Sequence, residues 1–478
     1  MKKALAFVLA LTLPLPAWAQ PAATKSAALP ATPVGVAVRQ FVDALNSLSQ
    51  AALEKFHTDR GGSAENADAD LEFAQQSGGI DLGPVLKSSD FQIEIEAKTR
   101  KGGRAVILLF AVEPSAPHAV SDIGVRPVGG RGPGPGSPNG PVDPPRVSPD
   151  RIVETAPGIV DQAIANGFSG VVLVARDGKP VLERTAGLAH RGFGVANRID
   201  TKFNLGSINK TFTRLAIAQL MQAGKLSLDD TLGRHLPDFP NQEAAAKVTI
   251  AHLVDMKSGL GDFFGAEFDA VSKSRVRTLS DYLPFFVKKP LAFEPGTSRA
   301  YSNGGYVTLG LIIEKVTGMV YHDYVRENIF KPAGMNDTDA YPLDATTPNL
   351  AVGYTKSGVS NIYSLPARGS SAGGGYSTAP DLLRYAEAVM ANRLASPAHT
   401  AWYLGGERPE AGAQKASDNA SRQTRGGLGI AGGSPGVNGA LEVNAADRVV
   451  IVVLANQDPP MAENLARKIR TGNQEPGR

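Results

Sequence analysis

The 478-residue chain has no cysteine, which excludes disulfides, thiolate metal sites, a cysteine nucleophile and lipid attachment through an N-terminal cysteine. It also has almost no excess of charge. There are 49 Lys and Arg against 46 Asp and Glu, a formal net charge of +3, with the basic residues spread along the chain. Nucleic acid or an anionic membrane surface as main partner would want a basic cluster, so neither is expected. Histidine is sparse: His57, His118, His190, His235, His252, His322 and His399 show no HExxH motif and no paired spacing. Neither a metal site nor a cofactor is expected from that pattern. Long apolar runs are missing too, apart from one at the N-terminus, so the mature chain is expected to carry no integral membrane segment.

What is present begins with that N-terminal run. Lys2 and Lys3, the apolar stretch Ala4 to Leu15, and Ala17-Trp18-Ala19 have the three-part layout of a secretory signal (residues 1–19) cleaved near Ala19. About twelve apolar residues are too few for a bilayer, which takes roughly twenty. An exported chain without disulfides suits the bacterial periplasm or the medium. Residues 20–34, rich in Ala, Pro and Thr, read as a flexible tether. Residues 129–150 are dominated by Gly and Pro and read as a semi-extended linker. Two globular parts remain, 35–128 and 151–478, and a composition of 42% hydrophobic and 20% charged residues can supply ordinary cores.

In the smaller part, Val38, Phe41, Val42, Leu45, Leu48 and Leu53 recur at helical spacing and predict one amphipathic helix from Val36 to Phe56. Phe91 to Ala97 alternates with period two, Arg104 to Val112 is β-rich, and Lys101-Gly102-Gly103 makes the turn between them. A helix on a hairpin or meander is a small α+β module, loosely similar to the nuclear-transport-factor-2-like domains that precede some secreted hydrolases. His57 and Asp59 are expected in an exposed loop at the helix end, because no partner constellation follows them. In the larger part, Gly170 to Ala175, a tight turn at Arg176-Asp177-Gly178-Lys179, and Pro180 to Glu183 read as strand, turn, strand. Ala440 to Val443 and Arg448 to Ala455 form another strand pair, followed by a helix over Ala462 to Arg470. Chain ends that feed one antiparallel sheet, with helices inserted between them, give an α+β fold.

The most informative stretch runs from Phe203 to Gly224. Gly206 precedes a helix whose buried face is expected at Phe212, Leu215, Ile217, Leu220 and Met221, with Gly224 as its stop. Ser207 then sits at the helix N-terminus, where free N–H groups favour a developing oxyanion. Lys210 lies one turn on, on the same face. A serine hydroxyl needs an adjacent base or a cation to become a nucleophile, and a desolvated lysine can supply either. A Lys three residues after a given Ser has roughly a 6% chance of arising from ordinary usage, so Ser-x-x-Lys alone is weak. Later, Tyr301-Ser302-Asn303 is the only Tyr-x-Asn in the chain, placed in a loop ahead of a helix over Tyr306 to Val316 that Gly318 ends. A phenol beside a lysine ammonium has its phenolate favoured, so Tyr301 is a candidate proton carrier, and Asn303 offers an amide to a substrate.

Ser207-Ile-Asn-Lys210, Tyr301-Ser-Asn303 and a late Gly-rich strand occur in the order found in class C β-lactamases, DD-peptidases and related esterases. Val248 to Leu260, Ile329 to Met335 and Gly373 to Thr378 also resemble this family of penicillin-recognising serine hydrolases, and the resemblance covers roughly residues 151–478. It implies an antiparallel sheet flanked by helices with a helical insert, and a Ser-Lys-Tyr acyl-enzyme mechanism on a small-molecule or peptide substrate with an ester or amide carbonyl. One element departs from the pattern. In Gly429 to Gly436, Ile430 stands where the family has Lys or His, while Gly432 and Gly433 keep the close backbone approach. The Gly433 N–H is expected to join that of Ser207 in an oxyanion hole. Ile430 removes the charge that would hold a substrate carboxylate, which lowers the expectation of β-lactam hydrolysis and raises that of uncharged esters or amides.

Two other readings compete. The Gly-x-Ser-x-Gly matches at Ser434 and Ser371 would mark an α/β-hydrolase nucleophile, but no His follows Ser434, and Ser371 lacks a strand–turn–helix context. A domain that binds or traps an acyl group without turnover is the second, and the intact Ser, Lys, Tyr and Asn set argues against it. The sequence assigns no oligomeric state.

Overall fold

The computed structural model describes residues 29–113, 115–127, 146–409 and 426–472. The secretory signal, most of the tether and most of the linker lie outside the described residues.

The N-terminal module opens with α1 (Pro33–Asn46) and α2 (Gln50–Asp59), not the single helix predicted. The break has a local cause. Leu48 adopts a left-handed φ of +55°, and the Ser49 side chain accepts from the Ala52 N–H to start a new helix. A third helix, α3 (Ala67–Ser77), and two further strands go beyond the elements expected. The strands β1 (Ile80–Ser88), β2 (Gln92–Thr99), β3 (Ala105–Val112) and β4 (Val120–Pro127) pair in sequence order as an antiparallel meander. Phe41, Phe56 and Phe110 pack together between helices and sheet. His57 corrects another expectation. It is not in an exposed loop but buried on α2, with Nε2 2.7 Å from the Asp70 carboxylate of α3. Asp59 is exposed and pairs with Lys55 one turn back on the same helix.

The larger part is built on one five-stranded antiparallel sheet. After α4 (Pro149–Ala165) come β5 (Gly170–Arg176) and β6 (Lys179–Ala186). The long helical middle includes α5 (Asn209–Gln222), α6 (Asn303–Thr317) and α7 (Ala379–Met390). The chain then returns as β7 (Gly427–Ser434), β8 (Val437–Asn444), β9 (Val449–Ala455) and α8 (Met461–Thr471). The sheet order is β7-β8-β9-β5-β6, so both ends of this part supply strands, as expected.

Both faces of the central strands are covered, which is why β9 reads as an unbroken apolar run, VVIVVLA. Val172, Val174 and Val453 face α4 and α8, against Ile159, Val160, Leu465 and Ile469. Their alternates Val171, Leu173, Val452 and Leu454 face the helical middle, against Phe212 and Leu215 of α5. The amphipathic pattern expected of α5 is not what the structure has: every residue from Asn209 to Ala218 is buried. Its polar residues are hidden because they find partners. Asn209 donates to the Ser370 carbonyl, Thr211 to that of Ile208, and Thr213 to that of Ser371.

Phe212 is 1% exposed, with the rings of Phe330 and Tyr385 edge-on at 5.0 Å. Phe212→Ala should therefore destabilise the larger part by about 3–5 kcal/mol, read from the urea midpoint of unfolding. Tyr363→Ala, at a side chain 88% exposed, should change it by less than about 0.5 kcal/mol.

Candidate active site

The nucleophile turn is shaped by glycines on three sides. Gly206, with a left-handed φ of +47°, opens a 3₁₀ turn (Gly206–Ile208) that leads into α5. A Cβ on Gly206 would stand 2.8 Å from the Gly433 nitrogen, and one on Gly432 would stand 2.7 Å from the Ser207 nitrogen. Edge strand β7 thus lies with bare backbone on the Ser207 turn. From the far side, Gly373 packs on the Gly206 carbonyl and Gly375 on the Asn209 side chain.

Lys210 is buried at the start of α5. Its Nζ stands 3.1 Å from Ser207 Oγ, 2.6 Å from Asn303 Oδ1 and 2.6 Å from the Ala372 carbonyl oxygen. Burial pulls its pKa down to about 7, with the Asp262 carboxylate opposing. The bonding pattern decides where a neutral amine would aim its lone pair. Asn303 Oδ1 and the Ala372 carbonyl can only accept, so both amine hydrogens go to them and the lone pair faces Ser207 Oγ.

The Asn303 orientation is itself held. The Asp262 carboxylate accepts from Asn303 Nδ2 at 2.7 Å and from its backbone N–H at 3.1 Å, and a carboxylate would repel the amide oxygen. Asn303 is the first residue of α6, three positions earlier than predicted, because Ser302 caps the helix by accepting from the Gly305 N–H at 2.8 Å. The residue is 7% exposed, its Oδ1 is taken by Lys210 and one Nδ2 hydrogen by Asp262, which leaves the second Nδ2 hydrogen of the amide to donate elsewhere.

Tyr301 lies just ahead of that cap. Its hydroxyl is 2.5 Å from Ser207 Oγ, and Lys210 Nζ sits 4.7 Å from the centre of its ring. The expectation of a favoured phenolate is reversed. Burial of the hydroxyl end pushes the phenol up, the Ser207 hydrogen bond only partly offsets this, and Asp262 and Tyr306 add to the rise. A phenol raised above its usual pKa stays protonated at neutral pH.

All six residues singled out from the sequence, Ser207, Lys210, Tyr301, Asn303, Gly432 and Gly433, thus meet in one place. Ile430 shares a strand face with Gly432 by the two-residue period and packs, partly buried, against the main core. It adds an apolar wall and no charge. Two groups were missed. Asp262 lies two residues beyond the Val248–Leu260 segment, and nothing in its local pattern marks it. Ala372 contributes a carbonyl, which no side-chain motif can reveal, although the glycine run beside it signals a close backbone approach. The competing serines fit no nucleophile: Ser371 is fully buried and donates to the Tyr306 carbonyl, and His399 pairs with Ser396.

A family model described as Beta-lactamase matches residues 156–474, more than half of the chain. The chain is 36% identical over 204 residues to penicillin-binding protein 4* of Bacillus subtilis, which covers 42% of this chain and 44% of that protein. It is 30% identical over 233 residues to the putative penicillin-binding protein PbpX of the same organism, covering 48% and 57%. It therefore spans about half the length of these curated relatives. Among solved structures, a penicillin-binding protein from Bacillus halodurans superimposes with a TM-score of 0.56 at 31% identity, over 66% of this chain and 98% of that one. A D-amino acid amidase from Ochrobactrum anthropi shares the fold, with a TM-score of 0.55 at 22% identity over 67% and 98%. The chain belongs to the Beta-lactamase family of serine hydrolases.

Proposed function

We propose that the protein is an exported serine hydrolase that cleaves an ester or amide through an acyl-enzyme on Ser207, with Lys210 as base and Tyr301 as proton carrier. The observation that carries this reading is the desolvated Lys210 amine, whose lone pair has only the Ser207 hydroxyl to face at 3.1 Å. Export rests on the signal-like N-terminus.

In acylation, Ser207 Oγ attacks the substrate carbonyl carbon as its proton passes to neutral Lys210. The oxyanion forms against the backbone N–H groups of Ser207 and Gly433, which are fixed before the reaction and need no reorganisation. As the tetrahedral intermediate collapses, the bond to the leaving oxygen or nitrogen breaks. Tyr301 gives that atom its proton and is reprotonated from Lys210. Water then attacks the acyl carbon by the same route in reverse, losing a proton to Lys210 and freeing Ser207. A protonated phenol beside a neutral amine suits this order better than a resting phenolate, because the acid is needed at the leaving group and the base at Ser207.

The apolar wall at Ile430 favours substrates without a carboxylate next to the scissile bond. The fold shared with a D-amino acid amidase is compatible with amides as well as esters.

Ser207→Ala should cut p-nitrophenyl ester turnover by at least about 10³-fold; intact turnover would falsify the assignment. Because Lys210 must be neutral to accept a proton, kcat/KM should be low where the ammonium persists and rise to a plateau with a midpoint near pH 7. A flat profile from pH 5 to 9 would contradict its role as base. Ile430→His should raise kcat/KM for carboxylate-bearing substrates relative to neutral ones below the imidazole pKa, and an unchanged ratio would overturn the reading of that position.

A further inference from the structure

The N-terminal module reaches the larger part beside the groups that hold Lys210. Glu113, the residue after β3, has a side chain only 12% exposed, and its Oε2 stands 3.6 Å from Lys289 Nζ of the larger part. The same oxygen lies over Gly261, where a Cβ would come within 3.5 Å of it. Lys289 donates to the Asp262 carbonyl oxygen at 3.2 Å. The Gly261–Asp262 turn is gripped from its other side by the start of α6, where Ser302 Oγ donates to the Gly261 carbonyl at 3.1 Å and Asp262 binds Asn303. A second contact between the two parts, Lys356 with Asp68 at 3.4 Å, is solvent-exposed and contributes little.

A carboxylate in a seam between two parts is costly to bury, and its burial adds no packing that an apolar side chain could not supply. What Glu113 does supply is a buried negative charge beside Lys289. We propose that the N-terminal module is part of the catalytic apparatus, with Glu113 a positioning residue that holds Lys289 on the Gly261–Asp262 turn and so sets Asp262, Asn303 and Lys210 in place. This rests on Lys210 being the base for Ser207.

The charges around the site give the proposal a sign. Lys210 faces Ser207, Asn303, the phenols of Tyr301 and Tyr306, and the Asp262 carboxylate, which favours its ammonium. Behind Tyr306 stand Asp255, Arg214 and Arg299. Asp262 in turn faces Glu113 and Lys289, and burial pushes the Glu113 carboxyl up while Lys289 opposes. Without Glu113, Lys289 is free to offset more of the Asp262 field, so the Lys210 midpoint falls. Without Lys289, the Asp262 field is less offset and the midpoint rises.

The test is the rate of fluorophosphonate labelling at Ser207 in the full-length protein, followed against pH, with melting temperature as the control for folding. Glu113→Gln is isosteric and should slow plateau labelling by about 2- to 30-fold and move the midpoint down. Lys289→Met should move it up. A contact that served folding alone would lower the melting temperature and leave both midpoints in place, which would overturn the proposal, as would wild-type rates in both variants. If wild-type Ser207 is not labelled at all, the assignment of Ser207 and Lys210 fails and takes this proposal with it. Normal labelling with unresponsive variants defeats only the role of the module.

Discussion

An amine held out of water between two carbonyl-type oxygens and one hydroxyl is the constraint on which the site depends. A lysine ammonium in bulk water neither needs nor keeps fixed partners. Inside the protein each N–H must be matched, and charge is disfavoured by desolvation. Asn303 Oδ1 and the Ala372 carbonyl meet that demand. Their own placement requires the cap at Ser302, the Asp262 carboxylate and the glycine run against α5. The helix α5, which carries Lys210, is accordingly buried on every side through its first turns, which an isolated amphipathic helix would not require.

Close backbone approach is the second demand. Strand β7 can lie on the Ser207 turn only because Gly432 and Gly206 carry no Cβ where backbone atoms of the other segment already stand. The close approach of β7 to the Ser207 turn is therefore a property of two glycines and a left-handed φ. None of the hydrogen bonds around Lys210 described above involves Ile430.

Much of this was legible in the linear pattern and some was not. The strands β5, β6, β8 and β9 and the C-terminal helix followed from apolar runs and turn residues, because local chemistry alone sets them. The module was read less well. A single helix was expected where Leu48 turns left-handed, and α3, whose apolar stripe is weak, was not anticipated. The burial of His57 is not legible in the sequence because its partner, Asp70, lies thirteen positions on, in α3.

The sequence by itself determined which residue types were available to the chemistry and in what order: a serine at a helix start, a lysine one turn on, a Tyr-x-Asn, a glycine pair on a late strand, and an isoleucine where a cation is usual. These depend on composition and short-range spacing, which the chain carries openly. Only the tertiary structure decided what surrounds them. Burial is a collective property of distant segments, and it pulls the Lys210 pKa down and pushes that of Tyr301 up. It also turned Asn303 inward and brought Asp262, unremarkable in the sequence, to the surroundings of Lys210.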